Sequence, residues 1–309
     1  MNYNFSEKRY PSKDGLNNVY ACFYTPKFCT AKGIVQLVHG MVDYVERYEE
    51  LAEFLTGEGY IVAGNHHLGH GKTALSAEDL GYFGSESSVD VLLRDVHTLN
   101  RYLRDTFPTL PLVIFGHSMG SFIARLYIEK YPHSIKGAII HGTSGPVKAV
   151  GMGKALATLL MKSNGARYRS PMLKKIAFAG YNSHYKNEGA NAWLTRDAEA
   201  IAGHDDDPFS NFTFTVSAYK DLFTMLKNCN RKEWFASYPK SLPTLVISGD
   251  EDPVGKYGKG PKFVYKHLLM EGGEKLTLKI YSDARHELFL ETNRQEVFSY
   301  LASWLKENI

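Results

Sequence analysis

Short β-branched runs alternate with longer amphipathic stretches along the first half of this chain, and that rhythm constrains the fold more than any other feature. Ile34-Val35-Gln36-Leu37-Val38 has the length and composition of a buried strand. Tyr48, Leu51, Ala52 and Leu55 then share one face of a helix expected over Tyr44 to Leu55. Tyr60-Ile61-Val62-Ala63 reads as the next strand. A helix follows over Ser88 to Phe107, with Val91, Leu92, Val96, Leu99 and Leu103 at helical spacing and Pro108 closing it. Leu112-Val113-Ile114-Phe115 is a strand, Ser118 to Tyr131 a helix stopped before Pro132, and Ala138-Ile139-Ile140 another strand. Strand and helix in this order imply right-handed crossovers and a mostly parallel sheet flanked by helices. Val19 to Phe23 alternates and precedes Pro26, which places it in an antiparallel edge hairpin.

The rhythm breaks between about Gly145 and Pro239. Helical patches occupy that stretch, including Met152, Ala155, Leu156, Leu159 and Leu160, then Ala218, Leu222, Met225 and Leu226. The strand pattern resumes at Thr244 to Ser248. A helix around Lys262 to Leu269, the strand Leu276 to Ile280 and a last helix from about Arg294 to Lys306 complete it. One sheet interrupted by a helical insertion is more economical than two independent domains. The expected organisation is a core of residues 1–144 and 240–309 with a helical insertion at 145–239.

The 309 residues are 44% hydrophobic and 22% charged with a net charge of +3, as in an ordinary globular protein. Lys and Arg are dispersed, so nothing points to nucleic acid as a partner. Met1 to Lys8 has no apolar run of the kind a secretory signal needs. The longest mostly apolar stretch, Ala149 to Met161, is interrupted by Lys154 and too short to span a bilayer. Cys22, Cys29 and Cys229 are an odd number without metal-type spacing, which reads as reduced thiols in a cytoplasmic protein.

The sharpest motif is Gly116-His117-Ser118-Met119-Gly120, a G-x-S-x-G sequence. Its weight comes from context. A strand runs directly into it and a helix directly out of it, the tight turn that exposes a nucleophilic serine. Glycines are needed where side chains would collide in so sharp a turn. The following helix N-terminus offers free amides to an oxygen that becomes negative.

A serine hydroxyl needs a base, and on this architecture the partners follow in the order serine, acid, histidine. Of twelve histidines, His286 stands just beyond the last strand. The acid belongs to Asp250-Glu251-Asp252 after the preceding strand. Asp252 is favoured because it lies farther from the strand, where the loop can turn its carboxylate toward His286, and Asp250 is the alternative. Two backbone amides are needed for an oxyanion. Met119 supplies one, and Met41, after the strand end Val38-His39-Gly40, the other.

Taken together, His39-Gly40-Met41, Glu46-Arg47-Tyr48, Gly69-His70-Gly71-Lys72, the serine motif, Gly249-Asp250-Glu251-Asp252 and Arg285-His286-Glu287 resemble the monoacylglycerol lipase and lysophospholipase family of α/β hydrolases. That family is also grouped with serine aminopeptidases. The resemblance covers nearly the whole chain outside the insertion. It implies an α/β-hydrolase fold with an eight-stranded sheet and a cap after the sixth strand. It further implies ester hydrolysis of acyl glycerols or lysophospholipids without metal or cofactor, with Ser118, Asp252 and His286 as triad and Met41 and Met119 as oxyanion donors. The chain departs from the family's Asp-x-x-Gly-x-Gly-x-Ser loop, reading Asn65-His66-His67-Leu68-Gly69-His70-Gly71-Lys72-Thr73. Asn and Thr keep the hydrogen-bonding ability of the residues they replace.

His66, His67 and His70 suggest a metal, but Gly69 and Gly71 argue against the helix face that such pairs usually share. Asp205-Asp206-Asp207 lacks the alternating ligands and closing Glu of a calcium loop. For the substrate wall the expectation names His117, Met152, Leu156, Phe178 and Phe212. Leu159, Leu160, Phe209, Phe214, Leu222, Phe223 and Met225 are further candidates that core packing would equally explain. An amphipathic insertion can also touch a lipid surface while loading substrate. Two rivals share the chain. One is a peptidase or thioesterase on the same serine, the peptidase needing an acidic grip such as Glu188, Asp197, Glu199 or Asp205 to Asp207. The other is a non-catalytic binding protein.

Overall fold

A computed structural model describes residues 1–86, 88–185 and 187–309. Its eight strands are β1 (Tyr3–Pro11), β2 (Asn18–Pro26), β3 (Gly33–Val38), β4 (Tyr60–Asn65), β5 (Leu112–His117), β6 (Gly137–His141), β7 (Thr244–Gly249) and β8 (Leu276–Tyr281). They form one sheet in the order β1-β2-β4-β3-β5-β6-β7-β8. β1 and β2 pair antiparallel, as does β2 with β4, and every later pair is parallel. The edge hairpin expected at Val19 to Phe23 is therefore β1–β2.

Alternation along each strand sends neighbouring side chains to opposite faces. Ile34, Ile114 and Ile140 join one apolar cluster, whereas Val35, Val113 and Ile139 join the other. The first cluster is covered by α2 (Val89–Thr106), α3 (Met119–Lys130) and α9 (Lys259–Met270), the second by α1 (Glu49–Gly57) and α10 (Arg294–Asn308). Gln36 is a polar residue inside this core. Its amide donates to the Val96 carbonyl at 2.8 Å and its oxygen accepts from Asn100 at 3.0 Å, so α2 satisfies it on both sides. Helix boundaries fall within about three residues of expectation except at α1, where residues 45–48 wind as a tighter 3-10 turn.

Five helices fill the interval between β6 and β7, with no strand among the described residues. They are α4 (Val150–Asn164), α5 (Pro171–Ala177), α6 (Ala198–Asp206), α7 (Val216–Asn228) and α8 (Lys232–Ala236). Val216, Ala218, Tyr219, Phe223 and Met225 form the buried face of α7. No helix among the described residues is long and apolar enough to cross a membrane.

One buried carboxylate ties this layer to the sheet layer. Asp221 of α7 accepts the Ser88 amide, at the start of α2, at 2.9 Å, while its other oxygen has no partner among the described residues. Burial raises its pKa from 3.8 to about 6, against smaller opposing effects of the Ser88 amide and Lys220. The folded protein therefore holds this proton more tightly than the unfolded chain between about pH 4 and pH 6, and stability falls as pH rises through that window. Asp221→Asn keeps an acceptor for Ser88. It is expected to stabilise the protein at pH 8 by about 1–2 kcal/mol and to leave stability at pH 4 nearly unchanged. Thermal melts at the two pH values check it, and a variant less stable at pH 8 contradicts it.

Candidate active site

The turn from β5 into α3 puts Ser118 at φ 53° and ψ −120°, outside the regions that side-chain-bearing residues ordinarily adopt. The strain persists because the surroundings leave no alternative. The Ser118 amide donates to the His141 carbonyl of β6 at 3.0 Å, and its own carbonyl accepts from the Ser121 amide at 2.8 Å. A Cβ at Gly120 would overlap the carbonyl oxygens of Val38 and His39, and one at Gly116 would overlap the Gly120 carbonyl. The two glycines are thus required by close backbone approach, which brings the end of β3 against the serine.

His286 follows β8, and Asp252 follows β7. Asp252 is fully buried, and its Oδ1 lies 3.0 Å from His286 Nδ1. That N–H points off the line of a well-aligned hydrogen bond, a looseness common in catalytic pairs before substrate binds. Asp252 also accepts the Val254 amide at 2.8 Å and the Ser248 hydroxyl at 3.2 Å. Burial pushes its carboxyl up, but the neighbouring His286 and the Val254 and Gly255 amides outweigh it and hold the group below the usual carboxylate range. Asp250 does something else: its Oδ1 accepts the Asp283 amide at 2.8 Å and shapes the loop that carries His286. Glu251 accepts the Tyr185 hydroxyl at 2.9 Å. Behind the His286 ring passes Gly142, whose φ of +60° and lack of a side chain leave the imidazole room. Trp193 packs on it with ring centroids 5.2 Å apart.

The loop after β3 approaches from the opposite side. Gly40 lies so close to Ser118 that a Cβ there would stand 3.3 Å from the serine Cβ. The Gly40 amide donates to Asp43 at 2.9 Å and the Val42 amide donates to His70 at 3.2 Å. Between them the Met41 amide has no acceptor among the described residues. Met119 is the first residue of α3, where amides have no intrahelical carbonyl. Both free amides belong to residues that line the same cavity as Ser118 and His286.

That cavity encloses about 1180 Å³ between the sheet's C-terminal edge and the inserted helices. Phe178, Phe212, Leu222 and Phe223 line it. His117 stands on its wall, buried, with Nδ1 3.0 Å from His141 Nδ1. Burial, helped by His141, His286 and Arg47, keeps the His117 ring well below its ordinary pKa, so the pair is neutral. Two expected wall residues are corrected. Met152 is 72% exposed on the outer face of α4, and Leu156 packs into the apolar cluster beneath. The helical spacing showed one apolar stripe, but α4 is turned so that Gly153 and Val150 face the cavity instead. Phe214 and Met225 are core, and Phe209 packs on Tyr44.

Sequence alone assigns Arg47 no role. Arg47 is buried and bonds Asp43 at 3.0 Å and both Glu287 oxygens at 2.8 Å. Burial works against its charge, but Glu287 and Asp43 raise its pKa further, and the Arg47 charge in turn holds Glu287 below the usual carboxylate range. The fork thus joins the loop after β3 to the residue beside His286. Arg47 stood in the motif Glu46-Arg47-Tyr48, but its partner lies 240 residues away, a separation no local pattern reveals.

Cys22, Glu46 and His66 come close enough to suggest a metal. His66 already uses both ring nitrogens, accepting the Lys72 amide at 2.9 Å and meeting Glu46 at 2.6 Å, and the Lys72 ammonium stands 3.0 Å from Glu46. A bound cation would have to displace that ammonium.

The sheet order, the strained serine turn and the insertion after β6 define an α/β hydrolase. The chain belongs to the family described as serine aminopeptidase, S33, whose model matches residues 30–293. It is 25% identical over 311 residues to a monoacylglycerol lipase of Mycolicibacterium smegmatis, covering 98% of each chain. It is 26% identical over 293 residues to the monoglyceride lipase of Homo sapiens, covering 93% of this chain and 86% of that one. Among solved structures, a thermostable carboxyl esterase from Bacillus coagulans in complex with glycerol superposes with a TM-score of 0.92 at 31% identity, over 98% of each chain.

Proposed function

We propose that this protein is a serine esterase that hydrolyses carboxylic esters of apolar acyl chains, acylglycerols foremost, through an acyl-enzyme. The observation that carries it is the convergence on one mainly apolar cavity of a strained serine, a histidine held beside a buried carboxylate, and two unengaged amides. His286 takes the Ser118 proton as the hydroxyl attacks the ester carbonyl, and the Met41 and Met119 amides hold the oxyanion. Asp252 fixes the imidazole tautomer and stabilises the imidazolium. The alcohol leaves with a proton from His286, and water repeats the sequence on the acyl group. The named activities of the relatives and the glycerol bound to the esterase from Bacillus coagulans support an acylglycerol substrate.

The peptidase reading finds little to grip an amine. The carboxylates on the cavity wall, Asp43 and Glu287, are both engaged by Arg47. Glu188 is paired with Arg285, Asp197 caps α6, and neither lines the cavity. A p-nitrophenyl ester series from acetate to palmitate, run beside an aminoacyl p-nitroanilide panel, tests the choice. Ester turnover peaking at one chain length supports the esterase. Anilide cleavage with little ester turnover moves the protein to the peptidase branch.

The proposal extends to the inserted segment. Residues 145–239 act as a cap over the core formed by 1–144 and 240–309, and the cap meets lipid while loading substrate. Gly145 to Asn187 contains no Asp or Glu. Met152, Leu159, Met172 and Ile176 are exposed there beside Lys154, Lys162, Lys174 and Lys175, none paired with a carboxylate among the described residues. An apolar surface ringed by cations suits an anionic bilayer. Flotation with phosphatidylcholine vesicles containing phosphatidylglycerol should recover the protein, and Lys174→Glu with Lys175→Glu should weaken binding by more than about tenfold. Equal recovery of the double variant would sink the idea. The unpaired thiols Cys22, Cys29 and Cys229 support a cytoplasmic location.

A further inference from the structure

Val42 is a β-branched residue held at φ 55°, in the left-handed region where such side chains are genuine outliers. It directly follows Met41, and both line the cavity beside Ser118. Strain of this kind survives only where neighbouring groups enforce it. On the N-terminal side of Met41 the chain is held twice: Asp43 accepts the Gly40 amide at 2.9 Å, and the Gly40 carbonyl lies 2.9 Å from His39 Nδ1. On the C-terminal side the polar contact recorded at Val42 is with one imidazole. His70 Nε2 accepts the Val42 amide at 3.2 Å, and Nδ1 lies 3.0 Å from the Leu68 carbonyl.

We propose that His70 is a positioning residue for the oxyanion loop: by accepting the Val42 amide it holds this valine left-handed and so sets where the Met41 amide points. This rests on the reading of Ser118 as nucleophile and Met41 as oxyanion donor. The ring is suited to the task. Donating from Nδ1 to Leu68 leaves Nε2 as a lone-pair acceptor, one neutral tautomer that satisfies both contacts. Full burial, aided by His66, lowers the His70 pKa to about 3, so the acceptor is not protonated near neutral pH. Phe83, Phe212 and Phe214 pack around the ring at centroid distances of 5.4–5.5 Å, which fixes its orientation. Without the acceptor, Val42 gains by relaxing to negative φ, and that rotation turns the Met41–Val42 peptide, so the Met41 backbone readjusts and its amide no longer points at the oxyanion.

The test compares the purified full chain with His70→Phe, which keeps the aromatic packing and loses the acceptor, and His70→Gln, which keeps an acceptor at similar reach. Hydrolysis of p-nitrophenyl butyrate is followed with inhibition by an alkyl trifluoromethyl ketone, whose serine adduct carries the oxyanion. His70→Phe is expected to lower kcat by about 10- to 100-fold, below the loss from deleting an oxyanion donor outright, with KM within about twofold. Ketone inhibition should weaken in step with kcat/KM, and His70→Gln should restore most of both. In a Val42→Gly background, where positive φ carries no strain, His70→Phe should cost less than about threefold. An unchanged kcat, a loss confined to KM, or an equal cost in both Val42 backgrounds overturns the proposal. Should His70→Phe not fold, His70→Met against His70→Gln makes the same comparison, and equal activity of those two overturns it as well. Fluorophosphonate labelling and ester turnover of the unaltered protein isolate the underlying reading. Their absence overturns that reading, whereas normal labelling with an insensitive His70→Phe overturns the role of His70 alone.

Discussion

Ser118→Ala is expected to lower kcat for ester hydrolysis by about five to six orders of magnitude, as removal of a nucleophile does in other serine hydrolases. The residual rate would come from the cavity and the two free amides, which still bind and polarise the carbonyl without a covalent intermediate. Stability, by contrast, should hardly change. Alanine lacks the hydroxyl, and at φ 53° it bears the same backbone strain as serine, so the fold should be neither helped nor harmed by more than about 0.5 kcal/mol. Paired measurements of single-turnover rate and thermal midpoint make the result interpretable. A kcat loss of less than tenfold with an intact fold would show that another group attacks the ester.

Asp252→Asn carries the second large effect, a fall in kcat of about four orders of magnitude. An asparagine in this place can present an amide N–H to His286 Nδ1, which favours the tautomer with the proton on the wrong nitrogen and removes the charge that stabilises the imidazolium. Asp250→Asn is the control. Its oxygen can still accept the Asp283 amide, which is the contact Asp250 makes, so activity should stay within about threefold. A collapse of activity in the Asp250 variant with a mild effect in the Asp252 variant would exchange their roles. Because His286 and the backbone amides around it outweigh burial and leave the Asp252 carboxyl below its ordinary pKa, its contribution to stability is complete above the unfolded value and fades as pH falls through the folded one.

Much of the fold could be read locally. Ile34 to Val38, Leu112 to Phe115 and Thr244 to Ser248 are short apolar runs whose neighbours are turns and helices, and a strand buried on both faces has few other ways to look. The glycines of the serine motif carry the same kind of information, since a turn this sharp tolerates nothing larger. The inserted helices were legible as helices and not as a wall. Periodicity gives an apolar stripe its spacing along the axis but not the rotation of that helix against the sheet, and so Met152 and Leu156 were placed on the cavity when Val150 and Gly153 face it.

The serine motif singled out Ser118, and chain order and strand ends singled out His286 and narrowed the acid to one short loop, because the topology of a parallel sheet brings strand C-termini to one edge whatever the side chains between them. The sequence favours Asp252 over Asp250 only by its distance from the strand; the direction of each carboxylate, one beside His286 and the other on the Asp283 amide, is a matter of tertiary structure. The Arg47 fork, the left-handed Val42 and the imidazole of His70 beneath it were likewise settled by tertiary structure. Each depends on a contact between residues tens to hundreds of positions apart, and local sequence carries no record of which distant side chain a fold will bring to meet it.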